Sequence, residues 1–156
     1  MIAVKQQQIL EGTTIGLLGG SFNPPHEGHV HITNQALHAF GFHKVWWLVS
    51  PGNPLKQKMP VSVKVRVAQC KGIIENPKVY ISDIENNFKT RFTAETLRKL
   101  FIHYPGVRFV WLMGADNLIN FHKWDRWSWI MENIPIGVMA RPGEQLKAGL
   151  SPTAMK

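Results

Sequence analysis

Two histidines three residues apart, His26 and His29, are the strongest candidates for chemistry in this sequence. They end the segment GGSFNPPHEGH, residues 19–29, which begins where an apolar stretch stops. A spacing of three places two side chains on one helix face, so both imidazoles can meet the same anion. Glycines let backbone amides approach a phosphate closely, and a helix N-terminus adds partial positive charge. The segment therefore favours a site for phosphate groups.

Two other interpretations of the pair stay open at this point. The imidazoles could be zinc ligands, but the sequence shows no recognisable third ligand and only one cysteine, so we name no metal-binding residue. They could also be a helix cap and a surface residue without a chemical role. The segment is neither a P-loop, which ends in Gly-Lys-Ser/Thr, nor a G-x-G-x-x-G dinucleotide site.

The rest of the chain predicts an α/β fold that would position such a segment. Short apolar runs predict strands over 14–18, 44–49, 78–82, 108–113 and 136–140, and helical periodicity predicts helices over 30–40, 62–74, 93–104 and 127–132. Continuous apolar strands separated by helices are typical of a parallel sheet covered on both faces. We therefore expect a Rossmann-like, five-stranded parallel sheet with helices on both faces.

Ligands of such sheets bind beyond the carboxyl ends of the strands. Polar or glycine-containing segments follow three of the predicted strands, at 19–29, 50–56 and 114–117. We expect one domain over 14–142, preceded by an N-terminal extension (1–13) and followed by a weakly patterned C-terminal stretch (143–156).

Composition narrows the class of protein and of partner. The 156 residues are 44% hydrophobic and carry a net charge of +8, which is typical of a folded protein with an anionic partner. The basic residues are scattered and no nucleic-acid-binding motif is present, which disfavours nucleic acid. No apolar run could span a bilayer, so no membrane is expected. The lone Cys70 and the absence of a recognisable signal peptide predict a cytoplasmic protein, with Cys70 as a small core residue.

The segment GGSFNPPHEGH closely resembles the signature of the H-x-G-H nucleotidyltransferases. Four later blocks resemble those of nicotinate-mononucleotide adenylyltransferases in the same order: SPGNPLK (50–56), RFTAETL (91–97), GADNLINFHKW (114–124) and ARPG (140–143). The resemblance covers residues 14 to 143. It implies adenylyl transfer from ATP to nicotinate mononucleotide, giving nicotinate adenine dinucleotide and pyrophosphate, with Mg²⁺ accompanying ATP and no covalent enzyme intermediate.

The resemblance also implies roles for the residues that bind phosphates. His26 and His29 would contact the ATP phosphates, with His29 nearest the α-phosphate. The loop before them would hold the reacting phosphates through Gly19, Gly20, Ser21 and the backbone at Phe22. Lys56 would be a cation for the acceptor or triphosphate oxygens and Asn53 would orient it, whereas Arg141 would lie near phosphates. The alternative for both Lys56 and Arg141 is a solvated surface residue.

The remaining roles concern the two organic groups. The resemblance places Thr93 and Trp124 at the nicotinate ring, with the indole stacked on the ring and the hydroxyl near its carboxylate. Gly114 and Asp116 would touch the ATP ribose. The alternatives are a helix cap for Thr93, a core position for Trp124 and a simple turn for Asp116.

Three questions remain open from the sequence. Members of this family carry a further Ser/Thr-rich turn, helix and arginine near the C-terminus, and we find no such motif before Lys156. We expect the sequence to be a piece of a longer protein; the alternative is an ATP site that is impaired or completed by another subunit. The rival functions are a sister enzyme, such as a phosphopantetheine adenylyltransferase or a cytidylyltransferase, and a non-catalytic protein that binds nucleotides or nucleic acid. The oligomeric state is undecided, a homo-oligomer included.

Overall fold

The computed structural model describes residues 12–51, 62–90 and 92–140. Within these ranges five strands form one parallel sheet with the spatial order β3-β2-β1-β4-β5. The strands are β1 (Thr14–Gly20), β2 (Lys44–Val49), β3 (Val79–Ser82), β4 (Arg108–Gly114) and β5 (Ile136–Met139). The predicted five-stranded parallel sheet is confirmed.

Helices connect the strands and lie on both faces of the sheet. They are α1 (Glu27–Phe40), α2 (Val63–Ile73), α3 (Ile84–Phe88), α4 (Thr93–His103), α5 (Ala115–Leu118) and α6 (Trp127–Asn133), with a 3-10 turn at Phe121–Lys123. The sequence did not predict α3, α5 or the 3-10 turn, because elements of three to five residues are too short to show a helical period.

The two faces are built from alternate residues of the same strands. Ile15, Leu17 and Trp46 belong to one buried cluster, which includes Leu97 and Leu100 of α4. Leu18, Val45 and Trp47 belong to the other, which includes Ala36 of α1 and Cys70 of α2. Because successive strand residues point to opposite sides, β1 and β2 contribute to both clusters. The predicted helices on both faces, and the predicted core position of Cys70, are confirmed.

One predicted helix start and one suggested helix cap are wrong, each for a local reason. Helix α1 begins at Glu27 rather than at residue 30, since its first turn, which contains Gly28 and His29, has no apolar residue to mark it. Helix α4 begins at Thr93, but its N-cap is Phe92, so the alternative role of Thr93 as a cap is wrong. The Glu95 carboxylate accepts a hydrogen bond of 3.2 Å from the Phe92 N–H.

The strand order reverses between β1 and β4. The chain runs from β1 outward to β2 and β3, and then returns to β4 on the other side of β1. At such a point the loops after the two strands diverge and leave a crevice. Among the described helices, none has both the length and the apolar character needed to cross a membrane. The ranges 1–11 and 141–156 lie outside the described residues, so the domain boundaries stay predictions.

Candidate active site at the carboxyl ends of β1 and β4

A cavity of about 200 Å³ lies at the carboxyl ends of β1 and β4. It brings together residues from two distant parts of the sequence, 18–32 and 111–124. Seven of the predicted site residues line it: Gly19, Gly20, His26, His29, Gly114, Asp116 and Trp124. The segments 19–29 and 114–117, which the sequence places after β1 and β4, both contribute to this cavity.

The two histidines are held by hydrogen bonds at the start of α1. His26 is the N-cap, and its Nδ1 accepts a hydrogen bond of 3.0 Å from the Gly28 N–H. The Nδ1 of His29 accepts one of 3.0 Å from the His26 N–H. An imidazole nitrogen that accepts a hydrogen bond carries no proton, so the ring nitrogen available as a donor is Nε2 in both residues. The imidazole centroids are 4.0 Å apart. This reciprocal capping presents two Nε2–H donors side by side.

The surroundings of His29 keep its ring neutral. Burial, and secondarily the nearby His26, lower the pKa of His29 from 6.5 to about 4. Its ring centroid lies 4.4 Å from that of Phe22. The His29 backbone is held as well: the Trp47 Nε1–H donates to Thr33 Oγ1 at 2.7 Å, and the Thr33 hydroxyl donates to the His29 carbonyl at 2.8 Å. His29 is thus a fixed hydrogen-bond donor rather than a cation at neutral pH.

Two glycines of the site leave room for neighbouring side chains. A Cβ at Gly19 would lie 2.5 Å from the Trp111 ring, so any other residue would displace that indole from the cavity wall. A Cβ at Gly114 would lie 2.7 Å from the Asp116 carboxylate. The sequence interpretation assigned Gly19 to close approach of a phosphate; the structure adds a packing requirement.

Ser21 and Phe22 form the loop between β1 and the histidines. The Ser21 side chain is exposed, whereas Phe22 is 1% exposed and its ring stacks on Trp47 at 5.0 Å. Phe22 has a φ of 50°, which is uncommon for a residue with a side chain. Neither residue is among those that line the cavity, so the phosphate contacts predicted for Ser21 and for the backbone at Phe22 stay predictions.

A second cavity, of about 300 Å³, adjoins the first at Trp124. It is lined by Phe92, Thr93, Lys123, Trp124 and Asp125, so the structure brings the predicted pair Thr93 and Trp124 together. The indole of Trp124 is held edge-on by Phe121 and Trp111, with centroids 4.9 and 6.1 Å away. Sequence reasoning missed Phe92, Lys123 and Asp125, although each is adjacent in sequence to a predicted residue.

A buried hydrogen-bond network supports this second cavity. Thr96, in α4, donates from Oγ1 to the Glu85 carboxylate of α3 at 2.8 Å, and its oxygen lies 2.8 Å from Thr90 Oγ1. Burial raises the pKa of Glu85, and the Thr96 hydrogen bond opposes this. The network ties α3 to the start of α4, where Phe92 and Thr93 lie. A threonine on the buried face of a helix is a weak sequence signal, which explains why it was missed.

Three predicted site residues, Asn53, Lys56 and Arg141, lie outside the described residues, and their roles stay predictions. Within the described ranges, no group of three or more His, Cys, Asp or Glu side chains is arranged to hold a metal ion.

Comparison with known proteins gives one consistent family. A cytidylyltransferase-like family model matches residues 17–155. A probable nicotinate-nucleotide adenylyltransferase of Cereibacter sphaeroides is 58% identical over 142 residues, which cover 91% of this chain and 75% of that protein. One of Roseobacter denitrificans, also named probable, is 56% identical over 143 residues, covering 92% of this chain and 72% of that protein.

The fold is shared with solved structures of more distant proteins. The nicotinic acid mononucleotide adenylyltransferase of Plasmodium falciparum, complexed with NaAD, superimposes with a TM-score of 0.75 at 19% identity, covering 89% of this chain and 72% of that one. At that identity the likeness shows the fold alone, while the two bacterial relatives show the family. The chain belongs to the cytidylyltransferase-like family and, within it, to the nicotinate-nucleotide adenylyltransferases.

Proposed function

We propose that this chain transfers the adenylyl group of ATP to nicotinate mononucleotide, forming nicotinate adenine dinucleotide and releasing pyrophosphate. The observation that carries the proposal is the paired Nε2–H donors of His26 and His29 in a cavity that shares Trp124 with a second cavity, which Thr93 also lines. The cavity with the histidines suits a polyphosphate, and the cavity with Thr93 suits a flat ring with a polar substituent. The relatives with 56–58% identity, named for this reaction, support the same assignment.

The chemistry needs positioning and charge stabilisation more than a protein nucleophile. A phosphate oxygen of the acceptor attacks the α-phosphorus of ATP, the bond from the α-phosphorus to the bridging oxygen breaks, and pyrophosphate leaves. The two Nε2–H groups would donate to the phosphate oxygens on which negative charge grows. Donors fixed before the reaction need no reorganisation at the transition state. The capping hydrogen bonds provide this fixation.

Magnesium would enter with ATP. Mg²⁺ prefers oxygen ligands and keeps several waters, so phosphate oxygens can supply most of its coordination. Asp116 contributes a carboxylate to the lining of the cavity at the carboxyl ends of β1 and β4, which we call the phosphate cavity. We expect Asp116 to hydrogen-bond the ribose hydroxyls of ATP, with Gly114 leaving room for its side chain.

The second cavity fits the acceptor's ring. Stacking on Trp124 would hold the pyridine face, and the Thr93 hydroxyl and the Lys123 ammonium can meet its carboxylate. Asp125 lies in the same cavity and would disfavour a carboxylate placed near it, so the ring should sit with its acidic group towards Thr93. A cytoplasmic location also belongs to this proposal and fits the buried free thiol of Cys70.

The test is pyrophosphate release from Mg-ATP with one acceptor at a time: nicotinate mononucleotide, nicotinamide mononucleotide or phosphopantetheine. The proposal expects release with nicotinate mononucleotide and formation of the dinucleotide, confirmed by mass. Preference for phosphopantetheine would assign a sister activity instead. Nucleotide binding by a folded chain that releases no pyrophosphate with any acceptor would assign a non-catalytic role, and salt-sensitive binding of RNA or DNA would favour the nucleic-acid alternative.

A further inference from the structure

Arg66, in the middle of α2, is fully buried although it is an arginine. It is 0% exposed and lies on the same face of α2 as Cys70, one turn later. Buried arginines in proteins are paired or hydrogen-bonded because an unsatisfied guanidinium is costly to desolvate. The hydrogen bonds of Arg66 therefore indicate its structural role.

The guanidinium joins the loops that follow two neighbouring strands. Its Nη1 donates to the Ser21 carbonyl, after β1, at 2.7 Å and to the Ser50 carbonyl, after β2, at 2.6 Å. Its Nη2 lies 3.4 Å from the Pro51 carbonyl. The Ser50 N–H in turn donates to the Gly20 carbonyl at 2.9 Å. One rigid, planar side chain thus fixes where both loops leave the sheet.

The contact with Ser21 sets the direction of the next amide. In a planar trans peptide the C=O and the N–H point to opposite sides. Since the Ser21 carbonyl points towards Arg66, the Phe22 N–H points to the other side of the loop. Within the described part of the chain, no residue accepts a hydrogen bond from this N–H. Hydrogen bonding of the carbonyl to a cation also makes the N–H of the same peptide a stronger donor.

The unusual backbone at Phe22 shows that this peptide is held in place. A φ of 50° costs free energy for a residue with a side chain and persists only where the surroundings impose it. The Phe22 ring contacts the rings of Trp47 and His29, and the Arg66 guanidinium restrains the preceding peptide because it donates to the Ser21 carbonyl. Gly20 before this peptide and His26 after it both line the phosphate cavity.

We propose that Arg66 is a positioning residue for nucleotidyl transfer: through the Ser21 carbonyl it holds the Ser21–Phe22 peptide so that the Phe22 N–H faces the nucleotide phosphates. The inference rests on the proposed function for the identity of the anion. Arg66 itself touches no substrate. Its contacts with the Ser50 and Pro51 carbonyls hold the end of β2 in the same way.

The experiment compares Arg66→Lys with Cys70→Ala and Arg98→Lys. Lysine keeps the charge but cannot reproduce the two diverging bonds of Nη1. Cys70→Ala loosens the same face of α2 without touching either loop, and Arg98 is an exposed arginine on α4. We expect Arg66→Lys to lower kcat by about tenfold to a hundredfold, with the KM for nicotinate mononucleotide within about twofold of wild type. Both controls should keep kcat within about twofold. A kcat for Arg66→Lys equal to that of Cys70→Ala would overturn the proposal.

A second readout does not need the reaction. In ¹⁵N-labelled protein, the Phe22 amide resonance of the wild type should shift when inorganic tripolyphosphate is added. In Arg66→Lys the resonance should already be displaced without ligand, and its response to tripolyphosphate should be reduced. A Phe22 amide that behaves identically in both proteins would contradict the positioning role. If the wild-type enzyme releases no pyrophosphate with any acceptor, the proposed function fails while this amide measurement still decides the role of Arg66.

Adding guanidinium ion to the Arg66→Ala variant distinguishes loss of positioning from loss of folding stability. A small cation that fits the vacated space should restore part of kcat at concentrations far below denaturing ones, with the same concentration of sodium as control. Rescue together with return of the wild-type Phe22 amide resonance supports the proposal. Full folding of Arg66→Ala, shown by an unchanged melting curve, with unchanged kcat would overturn it.

Discussion

The two halves of the site are built in different ways. In the phosphate half the two histidines are held by hydrogen bonds within one short segment: His26 Nδ1 accepts from the Gly28 N–H and His29 Nδ1 accepts from the His26 N–H. The acceptor half joins Thr93 to Trp124 across about thirty residues and relies on a buried network beneath it. If the proposed function holds, local hydrogen bonds position the groups for chemistry in the first half, whereas tertiary packing positions the groups for recognition in the second. Mutations should therefore separate turnover from acceptor binding.

The largest effect is expected for His29→Ala. Removing the Nε2–H donor at the phosphates should lower kcat by about a hundredfold to a thousandfold, with little change in the KM for nicotinate mononucleotide. Steady-state pyrophosphate release measures both constants. The matched control is His31→Ala, an exposed histidine two residues later on α1, which should behave as wild type. A His29→Ala enzyme with wild-type kcat would refute the role given to the phosphate half.

Trp124→Ala should act mainly on acceptor binding. Loss of the stacking surface is expected to raise the KM for nicotinate mononucleotide by about tenfold, while kcat and the KM for ATP change less. Trp124→Phe keeps a flat ring and should recover most of the affinity. Because Trp124 lines both cavities, a large fall in kcat instead would show that the two halves act as one unit.

Thr96→Val tests whether the network below the acceptor cavity supports recognition. Valine keeps the shape but leaves the Glu85 carboxylate without its partner, which should cost about 1–3 kcal/mol of folding free energy. The KM for nicotinate mononucleotide should rise a few-fold as the start of α4 loosens, with the KM for ATP unchanged. Thr96→Ser restores the hydroxyl and is the control. Thermal melting and kinetics measured on the same samples decide between loss of stability and loss of positioning.

The sequence predicted the phosphate half better than the acceptor half, because the pair His26 and His29 follows from a local pattern and the pair Thr93 and Trp124 does not. The order of elements, the five strands and the pair His26 and His29 follow from local patterns, and the structure confirms the fold and brings the pair together. The partnership of Thr93 with Trp124 came only from the resemblance to a known family. No local pattern shows that residues 93 and 124 share a cavity, because that contact depends on how α4 and the 3-10 turn pack.

Buried polar residues were the main omission. Arg66, Thr33 and Thr96 hold the loops and helices that carry the site, yet each reads as an ordinary polar position on a helix. For Arg66 a signal did exist: it falls among Val63, Val67 and Cys70 on the apolar face of α2. A charged residue on an apolar helix face indicates a buried hydrogen-bonding role. The sequence could therefore have pointed to Arg66, but not to the carbonyls that it binds.

The smallest expected effect is an opposite pH dependence of stability in the two halves. The pKa of His29 is lowered by burial from 6.5 to about 4 in the folded protein, so its contribution is present above pH 6.5 and is lost as the pH falls towards 4. The pKa of Glu85 is raised by burial, so its contribution is full below its ordinary value near 4.5 and is lost as the pH rises through the higher folded value.

Melting temperatures measured from pH 4 to pH 8 can separate these two contributions. His29→Asn should flatten the decline between pH 6.5 and 4 by a few degrees, and Glu85→Gln should flatten the decline above pH 4.5. Tripolyphosphate should raise the pKa of His29, since an anion favours the imidazolium, and should leave the Glu85 effect unchanged. Histidine NMR gives the first pKa directly. If either variant flattened both arms of the profile, the two halves would be electrostatically coupled rather than independent.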